Sequence, residues 1–210
     1  MVGTAGECHT PQMVDSASFQ RTATAHVVQA GYIRQGPHGQ HVGSTVGLVR
    51  DGDLVLVVDP GLVADRAGLL EAMGALGTFA ADVTDVVISH HHPDHTVNIA
   101  LFPNAKVHDH SAVYDGDLWV SRDAEGVELS PSVRLLRTPG HTPEDISTLV
   151  GTADGVVAFT HAWWRSDGPL ADPYAPDQAV LDASRKRLRR LVDIIVPGHG
   201  QAFPASEAPR

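Results

Sequence analysis

The stretch His90-His91-His92-Pro93-Asp94-His95 concentrates side chains that bind metal ions. Five of its six residues carry an imidazole or a carboxylate. Buried polar groups need partners, so histidine and aspartate at this density rarely serve packing. Imidazole nitrogen and carboxylate oxygen together suit Zn²⁺, or a similar divalent metal such as Mn²⁺ or Fe²⁺. The stretch therefore predicts a metal site.

The elements around this stretch are those of an α/β protein. Asp85–Ser89 is apolar and β-branched, which predicts a short buried strand. The histidines therefore begin where a strand ends, and α/β proteins place their chemistry at such ends. The other predicted strands are Ala25–Arg34, Ser44–Val58 with a hairpin turn at Arg50–Asp53, Lys106–His108, Val133–Leu136, Ile146–Val150, Val156–Phe159 and Asp193–Val196. The predicted helices are Ala64–Leu76, Asn98–Phe102 and Asp177–Leu191.

Length and composition predict one globular domain over residues 1–210, with residues 1–20 as a loose N-terminal segment. The content of 42% hydrophobic and 19% charged residues is typical of such domains. The formal net charge of −10 disfavours a nucleic-acid partner without excluding one. Cys8 is the only cysteine, so we expect neither a disulfide framework nor a thiolate metal ligand. The first 25 residues lack a long apolar run, so we expect no signal peptide, no membrane anchor and a cytoplasmic location.

The pattern His-x-His-x-Asp-His between His90 and His95 resembles the signature of the metallo-β-lactamase superfamily. Three further residues resemble other motifs of that superfamily, in the same order along the chain. They are Asp59 after Leu54–Val58, His141 in Thr138–Pro143, and His199 in Val196–Gly200. The resemblance implies an α/β fold, a four-layer αβ/βα sandwich, with the metal ions along one edge of its two sheets. A few short stretches also resemble an animal branch of the superfamily that is associated with hydrolytic, including ribonuclease, activity.

The resemblance also implies how the ligands divide between two metal sites. His90, His92 and His141 would form the first site, and Asp94, His95 and His199 would form the second. A zinc ion held by three nitrogens keeps a fourth position for water, whose pKa falls to about 7. Hydroxide on one or two Zn²⁺ ions is therefore the predicted nucleophile. The resemblance implies that Asp59 is not a ligand but orients ligands by hydrogen bonding.

One residue, His161, departs from the superfamily pattern. The usual motif has an aspartate here, whose carboxylate bridges the two metals, whereas this chain has His161 within Val156–Trp164. A carboxylate can hold two cations, but a neutral imidazole offers one lone pair. We therefore expect the second metal to bind weakly or not at all. His161 is expected to be a terminal metal ligand, an acid–base group alongside Asp94, or a histidine that only hydrogen-bonds a ligand.

Other histidines carry weaker signals. His91 lies between two predicted ligands and should point away from the metal. His108 and His110 match no superfamily position, so we expect them at the surface or in support of a ligand. His38 and His41 lie in a glycine-rich segment that could approach the site as a loop.

Two further features are ambiguous. Trp163 and Trp164 follow His161 and could wall a substrate pocket or fill the core. The basic run Arg185–Arg190 could bind phosphate, but the preferred interpretation is a solvated helix face, because the last turn of this helix should lie away from the metals.

The resulting functional hypothesis is a metal-dependent hydrolase that acts on an ester, thioester or lactone of a small molecule. The acidic composition favours a small-molecule substrate, as does the lack of a large insertion between His141 and His199, where the cleavage-and-polyadenylation nucleases of the superfamily carry an extra domain. Two alternatives stay open: a phosphodiesterase or ribonuclease of the same fold, and a non-catalytic metal-binding protein. We expect no membrane partner, and a homodimer is possible.

Overall fold

The computed structural model of the protein describes residues 19–209. Its strands are β1 (Thr24–Gln29), β2 (Tyr32–Gly36), β3 (Gly39–Gly43), β4 (Val46–Asp51), β5 (Leu54–Val58), β6 (Asp85–Val87), β7 (Lys106–His108), β8 (Ala112–Asp115), β9 (Leu118–Ser121), β10 (Glu128–Ser130), β11 (Val133–Arg137), β12 (Ile146–Thr152), β13 (Gly155–Thr160), β14 (Ile194–Pro197) and β15 (Phe203–Pro204). Its α-helices are α1 (Arg66–Ala75), α2 (Pro93–Thr96) and α3 (Gln178–Leu191). Short 3₁₀ turns occupy Ala80–Asp82, Val97–Leu101 and Ala205–Glu207.

Two large sheets and a separate hairpin contain these strands. The first sheet has seven strands in the order β1-β4-β5-β6-β7-β8-β9, and the second has six in the order β10-β11-β12-β13-β14-β15. Among the described strands, β2 and β3 pair with each other alone. Three neighbouring pairs are parallel, namely β5 with β6, β6 with β7, and β13 with β14. Parallel strands end at the same edge of a sheet, which brings the loops that follow them together.

Side-chain alternation along the strands produces four layers. Successive residues of a strand point to opposite faces of its sheet. In β5, Leu56 packs into the core between the sheets, whereas Val57 packs on the other face with Leu69 of α1. In β13, Phe159 faces the space between the sheets and Ala158 packs against α3. The helix–sheet–sheet–helix order confirms the predicted four-layer αβ/βα sandwich.

The two sheets are joined at the edge where the parallel strands end. The backbone N–H of Ile146, the first residue of β12, donates to the carbonyl of Ser89, just after β6, at 3.0 Å. The N–H of Thr45 donates to the carbonyl of Gly198, just after β14, at 2.7 Å. Each bond ties the loop after a parallel strand of one sheet to the start of a strand in the other sheet, so residues distant in sequence meet at one edge.

Most predicted elements are present, but the prediction of a single strand over Ala25–Arg34 is wrong. The chain leaves the first sheet after Gln29 and starts the separate hairpin at Tyr32. Gly31 lies at this break, and a Cβ there would come within 2.7 Å of the carbonyl oxygen of Gly198 and 2.6 Å of the N–H of Thr45. The backbone therefore passes too close to the joined edge for a side chain. The short strands β3, β8, β9, β10 and β15 were also not predicted.

The predicted loose segment, residues 1–20, lies outside the described residues except for its last two, and so does Cys8. Phe19 is buried in the core of the second sheet. The prediction of one domain over residues 1–210 stays a prediction.

Candidate metal centre

The loop after β6 places His90 and His92 on one side and His91 on the other. His92 has an extended backbone (φ −67°, ψ 142°) because Pro93 follows it and opens α2. His91 turns outward, and its Nδ1 and backbone N–H both lie 2.9 Å from Oε1 of Glu144. The prediction that His91 points away from the metal site is confirmed.

His90, His92 and His141 converge on one point. Nε2 of His90 lies 3.0 Å from Nδ1 of His92, and Nε2 of His141 lies 3.1 Å from the same atom. His90 and His141 are buried, whereas His92 is exposed. Three ring nitrogens at this spacing can share a divalent cation in place of their close contacts with one another.

Asp94, His95 and His199 form a second group beside the first. Asp94 Oδ2 lies 3.4 Å from Nε2 of His95 and 3.7 Å from Nε2 of His199. Within residues 19–209, Nε2 of His95 is buried and has no hydrogen-bond partner. A buried ring nitrogen without a partner is costly unless something else satisfies it, and a cation at this point would do so.

His161 occupies the middle of the imidazole cluster. Its ring centroid lies 4.2 Å from that of His141, 4.7 Å from that of His90 and 5.0 Å from those of His95 and His199. Its Nε2 lies 3.0 Å from Nε2 of His199. Its Nδ1 is buried and has no hydrogen-bond partner among the described residues. His161 therefore lies between the two groups and contacts both.

The side chains of this cluster fit a divalent metal ion. The donors are six imidazoles and one carboxylate, and two buried ring nitrogens lack partners in the part of the chain that the structure describes. Burial lowers the pKa of His90 and of His161 well below the ordinary value, and neighbouring imidazoles lower both further. Burial also lowers the pKa of His199, to about 4. These rings are therefore neutral at pH 7, as coordination requires.

Asp59 orients His95. It follows β5 in a left-handed backbone conformation (φ 50°) and is buried. Its Oδ1 accepts the N–H of Ser89 at 2.7 Å, and its Oδ2 accepts the Ser89 hydroxyl and Nδ1–H of His95, each at 2.9 Å. The carboxylate thus holds the His95 proton on Nδ1 and leaves Nε2 to face the site. This geometry suits the orienting role that the resemblance implied.

Two carboxylates near the site were missed by the sequence analysis. Asp172 lies on the loop between β13 and α3, and its Oδ2 accepts Nδ1–H of His141 at 2.9 Å. Asp145, just before β12, lies 3.6 Å from Nδ1 of His90, and burial raises its pKa to about 6. Nothing in the local sequence distinguishes either aspartate from the many others in loops.

Known proteins resemble this chain over most of its length. The model of the family described as Metallo-beta-lactamase superfamily matches residues 39–128. The Metallo-beta-lactamase domain-containing protein 1 of Xenopus laevis is 31% identical over 216 residues, which cover 89% of this chain and 93% of the frog protein. This chain belongs to the metallo-β-lactamase superfamily.

Further members of the superfamily agree. The human Metallo-beta-lactamase domain-containing protein 1 is 33% identical over 178 residues, which cover 81% of this chain and 66% of the human protein. A Thermotoga maritima structure of the metallo-β-lactamase type superposes with a TM-score of 0.69 at 23% identity, covering 88% of this chain and all of that one (100%). An N-acyl homoserine lactone hydrolase with a product bound at its catalytic metal centre superposes with a TM-score of 0.61 at 19% identity, covering 86% and 94% of the two chains. At these identities the solved structures establish the shared fold.

Membership confirms the predicted class, a metallohydrolase of the metallo-β-lactamase fold. Within that superfamily, the structure brings together all seven side chains predicted as metal ligands. They are His90, His92, Asp94, His95, His141, His161 and His199. Which of them bind metal stays a prediction. No helix within residues 19–209 has the length and apolar character needed to cross a membrane.

A cleft of about 300 Å³ opens onto the cluster. Its walls come from the β2–β3 hairpin, the metal-site histidines and the loop after β13. The lining residues are Ile33, Gln40, Val42, His92, Asp94, His141, Trp164, Tyr174 and His199. Trp164 thus walls the cleft, whereas Trp163 is fully buried in the core, so each of the two alternatives holds for one tryptophan.

The glycine-rich segment approaches the site, as expected. It does so as the β2–β3 hairpin rather than as a loop, and the hairpin residues that line the cleft are not histidines. His38 and His41 are exposed, and neither lines the cleft. His108 is buried between Asp85, at 2.7 Å, and Arg122, at 3.1 Å, which makes it part of the first sheet's structure.

The prediction of a solvated face for the basic run is wrong at Arg185. This side chain is 2% exposed, and its guanidinium donates to the carbonyls of Ala162, Leu170 and Pro169. It therefore braces the loop between β13 and α3. Lys186 and Arg190 of the same run are exposed, as predicted.

The neutral imidazoles predict how the metal-free protein responds to acid. In the unfolded chain His90, His161 and His199 take up protons near pH 6.5, whereas in the folded chain their lowered pKa values delay this. The unfolded state then binds more protons than the folded state below pH 6.5. The free energy of unfolding therefore decreases as the pH is lowered. Burial lowers the pKa of His92 as well. His95 and Asp145 oppose this trend: burial lowers the pKa of His95, but the carboxylates around it, Asp59 foremost, raise it overall, and burial raises the pKa of Asp145 to about 6. Four imidazoles therefore favour a loss of stability in acid, and two groups oppose it.

We therefore expect the melting temperature of the metal-free protein to fall by at least about 5 °C between pH 7 and pH 5. Thermal unfolding in the presence of a chelator, followed by circular dichroism, measures this. A melting temperature that is constant or higher at pH 5 would show that these rings are charged in the folded protein.

Proposed function

We propose that the protein is a zinc-dependent hydrolase that acts on an uncharged ester, thioester or lactone of a small molecule. The single observation that carries the proposal is the position of the histidine cluster in a cleft whose described lining is uncharged except for Asp94. A bound divalent cation would supply hydroxide from water at neutral pH and polarise the attacked carbonyl oxygen.

The chain's own residues divide the remaining work. His90, His92 and His141 would hold the first cation through neutral nitrogens, and Asp59 keeps the ring of His95 turned toward the second position. Asp94 is the carboxylate among the cleft-lining residues, and its side chain is 18% exposed. In this proposal Asp94 would accept a proton from the attacking water and return one to the departing oxygen or sulfur.

The walls of the cleft support an uncharged substrate over a phosphodiester. Apart from a metal ion, phosphate recognition in proteins commonly uses arginine or lysine side chains. None of the nine lining residues, all within residues 19–209, is an arginine or a lysine. The walls instead present Ile33 and Val42 on one side and two aromatic rings on the other. The formal net charge of −10 would also repel a polyanion.

Metal analysis combined with a substrate screen tests the proposal. We expect purified protein to carry zinc, and to hydrolyse 4-nitrophenyl esters, thioesters or lactones much faster than bis(4-nitrophenyl) phosphate. Activity should disappear on chelation and return with Zn²⁺. As a control, His41→Ala should leave both the zinc content and the activity unchanged, because His41 is an exposed histidine of the hairpin that does not line the cleft.

Two outcomes would contradict the proposal. Faster hydrolysis of the phosphodiester would support the alternative of a phosphodiesterase or ribonuclease. A protein that binds zinc but hydrolyses none of these compounds would support a non-catalytic metal-binding role. The cytoplasmic location and the homodimer remain predictions from the sequence.

A further inference from the structure

Asp172 is the meeting point of three parts of the cleft. Its Oδ2 accepts Nδ1–H of His141 at 2.9 Å and Nε1–H of Trp164 at 2.8 Å. Its Oδ1 accepts the backbone N–H of Tyr174 at 2.9 Å. The side chain is 1% exposed, so water does not compete for these bonds. One carboxylate therefore holds a predicted metal ligand and both aromatic residues of the cleft.

The loop that carries Asp172 is itself fixed to α3. The backbone N–H of Asp172 donates to Oε1 of Gln178, the first residue of that helix, at 3.0 Å. The buried guanidinium of Arg185, two turns further along α3, donates to the carbonyls of Pro169 and Leu170. These bonds to α3 fix the backbone of the loop, so the Asp172 carboxylate keeps a defined orientation toward His141.

Trp164 and Tyr174 form a flat wall next to His141. Their rings stack with centroids 5.7 Å apart and an angle of 17° between planes. Each ring centroid also lies 5.7 Å from that of His141. Tyr174 is 63% exposed, so the outer part of this aromatic wall faces solvent at the cleft mouth. An apolar group in the cleft would cover a surface that water now contacts.

We propose that Asp172 is a positioning residue that couples the metal site to the aromatic wall formed by Trp164 and Tyr174. It keeps the proton of His141 on Nδ1, so that Nε2 can bind a cation, and it holds the wall where the apolar part of a substrate packs. The role of Asp172 in holding the aromatic wall for a substrate rests on the proposed function. Its role in orienting His141 for a cation does not.

Both oxygens of Asp172 must accept hydrogen bonds, because all three of its partners are donors. Asparagine has the same shape but one accepting oxygen and one donating NH₂ group. With the oxygen toward Tyr174, the NH₂ group would face His141 and Trp164, and His141 could respond only by moving its proton to Nε2. With the oxygen toward His141, the NH₂ group would face the N–H of Tyr174. Either arrangement breaks the metal side or the wall.

Three variants separate these roles. Asp172→Asn should weaken Zn²⁺ binding by about 10- to 100-fold, and should also raise KM for 4-nitrophenyl hexanoate. Tyr174→Ala should leave Zn²⁺ affinity unchanged, because Asp172 contacts only its backbone. It should raise KM for the hexanoate by about 3- to 10-fold relative to the acetate, with kcat little changed. Asp167→Asn is the control, since Asp167 is an exposed carboxylate of the same loop that pairs with Arg165. It should change neither the Zn²⁺ affinity nor KM for the hexanoate.

Zn²⁺ affinity is measured by competition with a chromophoric chelator, which requires no substrate. If no ester is hydrolysed, the change in tryptophan fluorescence when hexanamide is titrated into the protein tests the wall, with Trp164→Phe identifying the contribution of Trp164. The proposed function would then fail, but Zn²⁺ affinity would still test the role of Asp172 at His141, and fluorescence would still test its role in the aromatic wall. Circular dichroism shows whether each variant is folded.

If Asp172→Asn does not fold, the tautomer of His141 in the wild-type protein decides the matter. Long-range ¹H–¹⁵N correlation spectra should show the proton on Nδ1, with His141→Gln providing the assignment. A proton on Nε2 would overturn the proposal. It would also be overturned if Asp172→Asn bound Zn²⁺ as tightly as Asp167→Asn, or if Tyr174→Ala left both the fluorescence response to hexanamide and the ratio of hexanoate to acetate KM unchanged.

Discussion

Replacing Asp94 by alanine should lower turnover by about 10²- to 10⁴-fold while leaving the protein folded. The loss is expected because the described cleft lining contains no other carboxylate that could take a proton from the attacking water. The fold should survive because the side chain is 18% exposed and is not part of the hydrophobic core. Steady-state kinetics on the best ester from the screen measures the change, and circular dichroism reports the fold.

The matched control for this prediction is Glu71→Ala. Glu71 is an exposed carboxylate on α1, on the outer face of the first sheet, and its removal should leave turnover unchanged. Zinc analysis of the Asp94→Ala protein separates loss of the second metal from loss of proton transfer. Activity that survives both the replacement and chelation would place the chemistry away from this cluster.

Changing His161 to aspartate should tighten binding of the second metal by at least about tenfold. In the native protein we expect the site of His90, His92 and His141 to fill first, and the site of Asp94, His95 and His199 to fill weakly or not at all. A neutral imidazole has one lone pair, whereas a carboxylate in the same place has two oxygens and a negative charge that two cations can share. Aspartate is also smaller than histidine, so the central position can accept it.

Calorimetric titration of the metal-free protein with Zn²⁺ distinguishes the two sites. The control is His161→Asn, which has nearly the shape of aspartate without its charge and should not tighten the second site. Two equally tight metals in the native protein, unchanged by His161→Asp, would mean that another group bridges them. Asp94 would then be the residue to test, because its Oδ2 is within 4 Å of both His95 and His199.

The sequence by itself determined the local parts of this site. His90 and His92 face one way because Pro93 forces the residue before it to be extended, and Asp94 and His95 follow in the first turn of the helix that this proline opens. The layers follow from alternation along β5 and β13, whose apolar residues must cover both faces of each sheet. These features depend on neighbours in sequence, and a single chain contains that information.

Only the tertiary structure decided which distant residues support the cluster. Asp172 reaches His141 across 31 positions because Gln178 and Arg185 fix its loop, and no local pattern marks that aspartate. Trp164 lines the cleft, whereas its neighbour Trp163 is buried in the core that packs against α3. Arg185 looked like part of a solvated basic run, yet it is buried because three backbone carbonyls converge on it. Buried polar groups must find partners wherever the fold brings them, and that requirement is satisfied by contacts that sequence spacing does not encode.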